Sequence, residues 1–122
     1  MRVVVPVVED AGLNSRLSGH FGRAPYFAIV ELGEEGRTLD VKVVPNVSKH
    51  MGGVGLPSEH ILQLAPDVVI VPGMGPRALR LFQEAGVPVL RAAAETVGEN
   101  LEALRKNLLE ELTEGCREAR HR

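Results

Sequence analysis

One loop of the sequence concentrates residue types that can bind an inorganic ligand. His20 and Phe21 lie between Gly19 and Gly22, and Arg23 follows directly. Flanking glycines let the backbone turn sharply around a side chain, and imidazole is near neutral at physiological pH and is a common metal ligand. A guanidinium adds a permanent positive charge suited to an anion. The plainer alternative is that His20 hydrogen-bonds a nearby carbonyl while Phe21 fills the core.

A second glycine-rich loop carries another set of potential ligands. His50 and Met51 are followed by Gly52, Gly53 and Gly55, immediately before a predicted helix. Imidazole and thioether together suit a soft metal centre, and free amides at a helix start suit an anion. Glycine-rich surface connections are common, so an ordinary loop with a solvated histidine remains the alternative.

The third candidate loop, PGMGPR, joins a predicted strand to a helix at residues 72–77. Its amides, around Gly75 and Arg77, could face a phosphate or a cluster. It lacks the lysine and the hydroxyl residue of a nucleotide P-loop, so we expect no bound nucleotide. Met74 could instead close the core. The remaining histidines, His60 in the following helix and His121 in the tail, are expected to face solvent.

The sequence offers few combinations of residues that could form a catalytic site. No serine or cysteine lies on a strand-to-helix elbow with a histidine at a suitable spacing. Glu31 and Asp67 alone cannot build the carboxylate site of a two-metal nuclease. The single cysteine, Cys116, excludes an all-cysteine zinc or iron–sulfur site within one chain. We therefore predict that the protein is not an enzyme.

Composition indicates one soluble domain. The chain has 122 residues, of which 44% are hydrophobic and 25% charged. The net charge of −2 provides no field that favours nucleic acid or an anionic membrane. We predict a single domain over residues 1–112 and a polar, flexible tail over 113–122. The sequence begins in a strand pattern without a leader, so we expect a cytoplasmic location.

Hydrophobic patterns predict a mixed sheet with helices on its faces. The predicted strands are Met1 to Val8, Tyr26 to Leu32, Leu39 to Val44, Asp67 to Val71 and Val87 to Leu90. The third of these alternates between apolar and polar residues, which is typical of a half-exposed edge strand. The others are almost continuously apolar, as in strands covered on both faces.

Three helices are predicted between and after the later strands. Pro57 begins the first, which runs to Ala65, and Pro76 begins the second, which Gly86 ends. The apolar face of the second helix is predicted to be Ala78, Leu79, Phe82 and Ala85. Thr96 and Glu99 form a capping-box pattern for the third helix, with a stripe of Val97, Leu101, Leu104 and Leu108. A three-strand meander followed by helix–strand alternation predicts an α/β fold with five strands.

The sequence resembles the dinitrogenase iron-molybdenum cofactor biosynthesis family, the domain of NifX type and of the C-terminal part of NifB. The resemblance rests on SGHFGRAPYFAIVE at 18–31, on GGVGL before the first helix and on DVVIVPGMGPRALRLFQEAGVPV at 67–89. It implies a ribonuclease H-like fold and a small non-catalytic prokaryotic protein that binds or carries a metal–sulfur cluster. The cargo implied is an iron–molybdenum–sulfur or molybdenum–copper–sulfur cluster, exchanged with donor or acceptor proteins.

The resemblance also implies a set of site residues. His20 is the motif histidine most readily linked to cluster contact, with Arg23 beside it, and His50 and Met51 stand where relatives have further ligands. The remaining predicted contacts are Phe21, Gly22, Lys49, Gly52, Gly53, Gly75 and Arg77. The core has no cysteine. Because a preformed cluster is anionic and internally bonded, one or two ligands with compensating positive charge would suffice for a carrier.

The sequence alone leaves two other functions open. The glycine-rich loops could serve a small-molecule or anion sensor, and a divergent metal-dependent nuclease is a weaker possibility. The protein is expected to be a monomer or a weak homodimer, because the edge strand around Val41 could pair with a second copy.

Overall fold

The computed structural model describes residues 1–48 and 56–114. Its regular elements are five strands and three helices. The strands are β1 (Arg2–Val7), β2 (Tyr26–Leu32), β3 (Thr38–Pro45), β4 (Val68–Val71) and β5 (Val89–Arg91), and the helices are α1 (Pro57–Gln63), α2 (Pro76–Glu84) and α3 (Val97–Arg105). Every predicted element is present in the predicted order, with boundaries shifted by one or two residues for most of them.

The five strands form one mixed sheet in the order β3-β2-β1-β4-β5. β1 pairs antiparallel with β2, which pairs antiparallel with β3. On its other side β1 pairs parallel with β4, which pairs parallel with β5. The predicted meander followed by parallel crossovers is confirmed, and β3 is an edge strand.

β1 forms the centre of the molecule because both of its faces are covered. Val3, Val4, Val5 and Val7 are fully buried. Since successive side chains of a strand point to opposite faces, Val4 joins one hydrophobic cluster and the other three valines join a second. The continuous valine run therefore supplies the core on both faces of the sheet.

The helices divide between the two faces. Ile61 of α1 and Leu79 and Phe82 of α2 pack in the cluster of Val4, whereas Val97 and Leu101 of α3 pack in the other cluster. Each helix buries one apolar stripe and leaves its opposite side in solvent. No helix within residues 1–48 and 56–114 is long and apolar enough to cross a membrane.

The predicted helix-end signals are confirmed for α2 and α3. Gly86 has a φ of +74° and follows the C-cap residue Ala85 of α2, and glycine adopts this conformation without steric cost. At the start of α3 the Thr96 hydroxyl accepts a hydrogen bond from the Glu99 N–H at 3.2 Å, and the Glu99 carboxylate accepts one from the Thr96 N–H at 3.2 Å. This reciprocal pair is the predicted capping box.

Two residues assigned to buried helix faces were predicted wrongly. α3 ends at Arg105, and Asn107 adopts a left-handed φ of +59°, so Leu108 leaves the helical stripe and is 65% exposed. Ala85 lies just beyond α2 and is exposed. At Leu108 the apolar spacing continues past the residue where the backbone changes direction, whereas Ala85 is the C-cap residue that follows the last residue of α2, Glu84.

After α3 the chain returns to the sheet. The Arg91 N–H donates to the Glu110 carbonyl at 2.8 Å, and the Leu112 N–H donates to the Val89 carbonyl at 2.7 Å. Leu112 is buried in the cluster of α1 and α2. The fold therefore uses the chain at least to Leu112.

Because α3 ends at Arg105, replacement of a leucine by alanine should affect the free energy of unfolding unequally at Leu101 and Leu108. Leu101→Ala should lower the free energy of unfolding by about 2–5 kcal/mol, because it leaves a cavity in the core. Leu108→Ala should change it by less than about 0.5 kcal/mol, since that side chain is already exposed. Urea unfolding followed by circular dichroism measures both values. Equal losses would contradict the helix end at Arg105.

Candidate functional site

Four connecting loops gather at one edge of the sheet. β1, β4 and β5 are parallel, so their carboxyl ends lie at the same edge. At that edge Tyr26, where β2 begins, stands opposite Val7, and Pro45, where β3 ends, stands opposite Tyr26. The loops that follow β1, β3, β4 and β5 therefore meet there. We call this the loop edge. The first and third predicted candidate loops lie on it, as do residues 46–48 at the start of the second.

The loop after β1 turns back and pairs with the end of that strand. Leu17 forms an antiparallel bridge with Val7, and the Ser18 N–H donates to the Pro6 carbonyl at 2.9 Å. Among the described residues, β4 pairs only with the first half of β1. The returning segment hydrogen-bonds the backbone groups in the second half of β1 that β4 leaves unpaired. Ser18 is thereby fixed to the central strand.

The Ser18 side chain holds the backbone of His20. Its hydroxyl donates to the His20 carbonyl at 3.1 Å and lies 3.2 Å from the His20 N–H, from which it can accept. The same carbonyl accepts a hydrogen bond from the Arg23 N–H at 3.1 Å. Ser18 is buried, whereas His20 is exposed. The main chain of the histidine is therefore fixed while its imidazole faces solvent.

The plainer alternative for His20 is not found in the described structure. No residue within 1–48 or 56–114 hydrogen-bonds its ring. The ring is neither sealed in the core nor engaged with a carbonyl there. It is available to an external ligand.

The side chain of Phe21 attaches the His20 turn to the hydrophobic core. It is 8% exposed, with its ring centroid 6.3 Å from that of Phe27 and 5.9 Å from that of Phe82. The contact with Phe82 is edge-to-face, a favourable arrangement for aromatic rings. Phe21 was expected either to contact a ligand or to fill the core, and the structure places it in the core. Contact between Phe21 and a ligand stays a prediction.

Asn46 ties the His20 turn to the loop after β3. Its side-chain amide donates to the Ala24 carbonyl at 2.8 Å and to the Gly22 carbonyl at a longer 3.5 Å. Its side-chain oxygen accepts from the Ser48 N–H at 2.9 Å. Asn46 is buried, so these bonds are shielded from water. Sequence reasoning missed this residue, because nothing in its spacing distinguishes a buried asparagine from a solvated turn residue.

Five predicted site residues lie outside the described residues. They are Lys49, His50, Met51, Gly52 and Gly53. The residues on either side of them, Ser48 and Leu56, belong to the loop between β3 and α1. Their predicted roles stay predictions.

The loop after β4 presents the start of α2. Gly75 is the N-cap residue in an extended conformation without a side-chain cap, and Pro76 is the first helical residue. The N–H groups of the first helical turn lack intrahelical partners. Arg77 is exposed at this terminus. Met74 is 3% exposed and packs in the core, which confirms the alternative that it closes the core.

The loop after β5 was not among the predicted candidates. Asn100 of α3 is fully buried and holds this loop, accepting from the N–H groups of Ala93 and Ala94 and donating to the carbonyls of Ala94 and Thr96. The signal available in the sequence was an asparagine beside Leu101 on the buried stripe of α3. The Glu95 carbonyl in turn accepts a hydrogen bond from the Leu17 N–H at 2.8 Å. The two loops therefore support each other.

An ion pair closes the outer part of the loop after β1. The Arg16 side chain donates to the Glu9 carboxylate at 2.9 Å. This hydrogen bond lowers the pKa of the Glu9 carboxyl and raises the pKa of Arg16. Because the pair is exposed, its effect on stability is small. Elsewhere in the described residues, no group of three or more histidine, cysteine or carboxylate side chains is arranged to hold a metal ion.

Comparison with known proteins identifies the family of this chain. A family model described as dinitrogenase iron-molybdenum cofactor matches residues 1–107. The chain belongs to that family. The match includes the His20 turn, the loop after β3 and the start of α2, so the whole loop edge lies within the family domain.

Individual proteins are similar to this chain in sequence, in fold or in both. The uncharacterized protein MJ0580 of Methanocaldococcus jannaschii is 30% identical over 112 residues, which are 90% of each chain. The NMR structure of a Thermotoga protein proposed to be a NifB protein is 29% identical, with a TM-score of 0.74 over 96% of this chain and 97% of that one. The apo form of the orange protein from Desulfovibrio gigas shares the fold, with a TM-score of 0.77, 19% identity and 93% coverage of both chains.

Removal of the Asn46 side chain should loosen the site. Asn46→Ala should lower the free energy of unfolding by about 1–3 kcal/mol, because it leaves the buried Ala24 carbonyl without its donor. Asn14→Ala, at an exposed position in the loop after β1, is the matched control and should cost less than about 0.5 kcal/mol. Urea unfolding compares the two variants. A loss at Asn46 no larger than at Asn14 would contradict the bridging role.

Proposed function

We propose that the protein binds and carries a preformed metal–sulfur cluster at the loop edge, without turnover of its own. The cargo would be an iron–molybdenum–sulfur or molybdenum–copper–sulfur cluster. The observation that carries this proposal is the exposed imidazole of His20 on a turn whose backbone is fixed by Ser18 and whose neighbour Phe21 is buried. Family membership and the NifB-type relative support the same class of cargo.

The potential metal ligands among the described residues suit reversible binding of a preformed cluster better than permanent storage of a metal ion. A closed site for a bare metal ion needs about four ligands, and no such group exists among the described residues. A preformed cluster already satisfies most of its own coordination. A single neutral imidazole can then supply one bond, since it is a suitable ligand for iron and copper.

Positive charge at the loop edge would complement the negative charge of the cargo. Arg23 is exposed three residues after His20, and Arg77 is exposed in the first turn of α2. The free amides of that turn carry a partial positive charge. Lys49, His50 and Met51 lie outside the described residues, and we propose them as further contacts of the cargo.

Several further assignments accompany this proposal. Donor and acceptor proteins would deliver and remove the cluster, and the protein would work in the cytoplasm. We also propose that the mixed five-stranded sheet is of ribonuclease H-like type. One ligand with electrostatic support gives the reversible attachment that transfer between proteins requires.

The direct test is anaerobic binding of the cargo to a histidine variant. Tetrathiomolybdate with Cu(I), or an isolated iron–molybdenum cluster, should form a coloured complex with the wild-type protein that survives gel filtration. His20→Ala should weaken binding at least about tenfold, equivalent to about 1.4 kcal/mol. His60→Ala, a histidine variant on α1, serves as the comparison. Unchanged binding by the His20 variant would remove His20 from the site.

The contribution of charge is tested with two arginine variants. Arg23→Gln should weaken cargo binding by a factor of about 2–10 and reduce its salt dependence, because an exposed charge acts through a screened interaction. Arg37→Gln makes the same change in the turn between β2 and β3, at the opposite edge of the sheet, and should have no effect. Equal effects at the two positions would show that only net charge matters.

A further inference from the structure

The outer edge of β3 offers a strand for pairing. No strand among residues 1–48 and 56–114 pairs with that side of β3. The Asn46 N–H donates to the Pro25 carbonyl, so the backbone at position 46 faces β2. Because this direction alternates along an antiparallel strand, Asp40 and Lys42 also direct their backbone groups toward β2. Val41 and Val43 therefore direct theirs outward.

Side chains along β3 are unusually exposed for a strand of the sheet. Leu39 is 62% exposed, and Val41 and Val43 are half-buried against the cluster of α3. A strand added at this edge would cover Val41 and Val43 on one face. On the other face lie Asp40 and Lys42, both exposed.

The charges on β3 have no partner within the described chain. Neither Asp40 nor Lys42 forms an ion pair among residues 1–48 and 56–114. Asp40 stands opposite Glu31 of β2, whose carboxylate already binds Arg2. Asp40 therefore has a like charge as its cross-strand neighbour and would be stabilised by a cation on its free side.

From these observations we propose that β3 pairs with β3 of a second copy, antiparallel and centred on Val41. In this register Val41 stands opposite its symmetry mate, and Val43 lies next to the bulged end of the partner strand. Asp40 stands opposite Lys42 on both sides of the two-fold axis. The same segment thus supplies both halves of the interface, as a two-fold dimer requires. This proposal is independent of cargo binding.

Charge selects this register over its neighbours. The backbone N–H and C=O groups of residues 41 and 43 can bond the partner strand only in registers that place outward-facing residues opposite each other. A shift one way places Asp40 opposite Asp40, and a shift the other way places Lys42 opposite Lys42. Both arrangements put like charges in direct contact, which is destabilising. Only the register centred on Val41 pairs opposite charges.

The β3 edge also carries features that limit pairing. A bulge at the Leu39 end disturbs the register with β2, and Pro45 at the other end lacks an N–H. Bulges, prolines and lysines commonly restrict the growth of sheet edges. These features confine the contact to a short segment around Val41. We expect a weak dimer with a Kd between roughly 1 μM and 1 mM.

Charge swaps test the proposed pairing in the full-length protein. Sedimentation equilibrium at concentrations up to about 1 mM should show a dimer of the wild type. Asp40→Lys or Lys42→Asp should each raise its Kd about tenfold by creating two like-charge pairs. The double variant Asp40→Lys/Lys42→Asp should restore association, because it restores opposite charges with unchanged net charge. Glu84→Lys, an exposed residue at the end of α2, is the control for a change of net charge.

Cross-linking tests the register directly. In a Cys116→Ser background, Val41→Cys should form a disulfide-linked dimer under mild oxidation, because opposed Cα atoms lie about 5.5 Å apart. Val43→Cys should not, because the two copies of residue 43 would be separated by four residues along the strands, or about 14 Å. The proposal is overturned by a protein that stays monomeric throughout, by a dimer insensitive to the charge swaps, or by preferential linkage through residue 43.

Discussion

The candidate site depends on the way one turn is attached to the core. Phe21 is inserted between Phe27 and Phe82, while the Ser18 hydroxyl bonds both backbone groups of the intervening His20. Burial of an aromatic side chain gives the attachment its free energy, and the hydrogen bonds give it direction. A ligand that contacts the imidazole would therefore meet a ring whose main chain is already ordered, which lowers the entropic cost of binding.

Sheet topology determines what else can reach the same ligand. Three parallel strands end at the loop edge, and the antiparallel pair β2 and β3 places a further loop there. Asn46 and Asn100, both buried, hold the loops on either side of the His20 turn. Amide side chains can donate and accept at once, which suits them to connecting loops that have no regular pairing. Among the described residues, hydrogen bonds and aromatic packing hold the backbone beneath the site, while exposed side chains and the first amides of α2 face outward.

Sequence patterns predicted the fold well, whereas the predicted ligand contacts stay predictions. Alternating and continuous apolar runs identified every strand and helix, because burial on one or two faces leaves a direct trace in the sequence. The error at Leu108 arose because apolar spacing continues beyond Asn107, whose left-handed conformation is not encoded by hydrophobicity. His20 was predicted as a contact from its glycine-flanked motif, and the structure places it in an exposed position; its contact with a ligand stays a prediction. Asn46 was missed because its hydrogen-bond partners lie up to 24 positions away in sequence. Asn100 was missed because its partners, four to seven positions away, lie in a loop that has no repeating sequence pattern.

The central claim is that the His20 ring docks the cargo on a turn that does not rearrange. Nitrogen NMR of the protein labelled at histidine and backbone nitrogens, recorded during anaerobic titration with a diamagnetic tetrathiomolybdate–Cu(I) cluster, tests it directly. The account predicts a large change at one ring nitrogen of His20, with only small changes at the backbone amides of Ser18, Phe21 and Arg23. An unchanged His20 ring, or broad rearrangement of the amides of the turn, would contradict it.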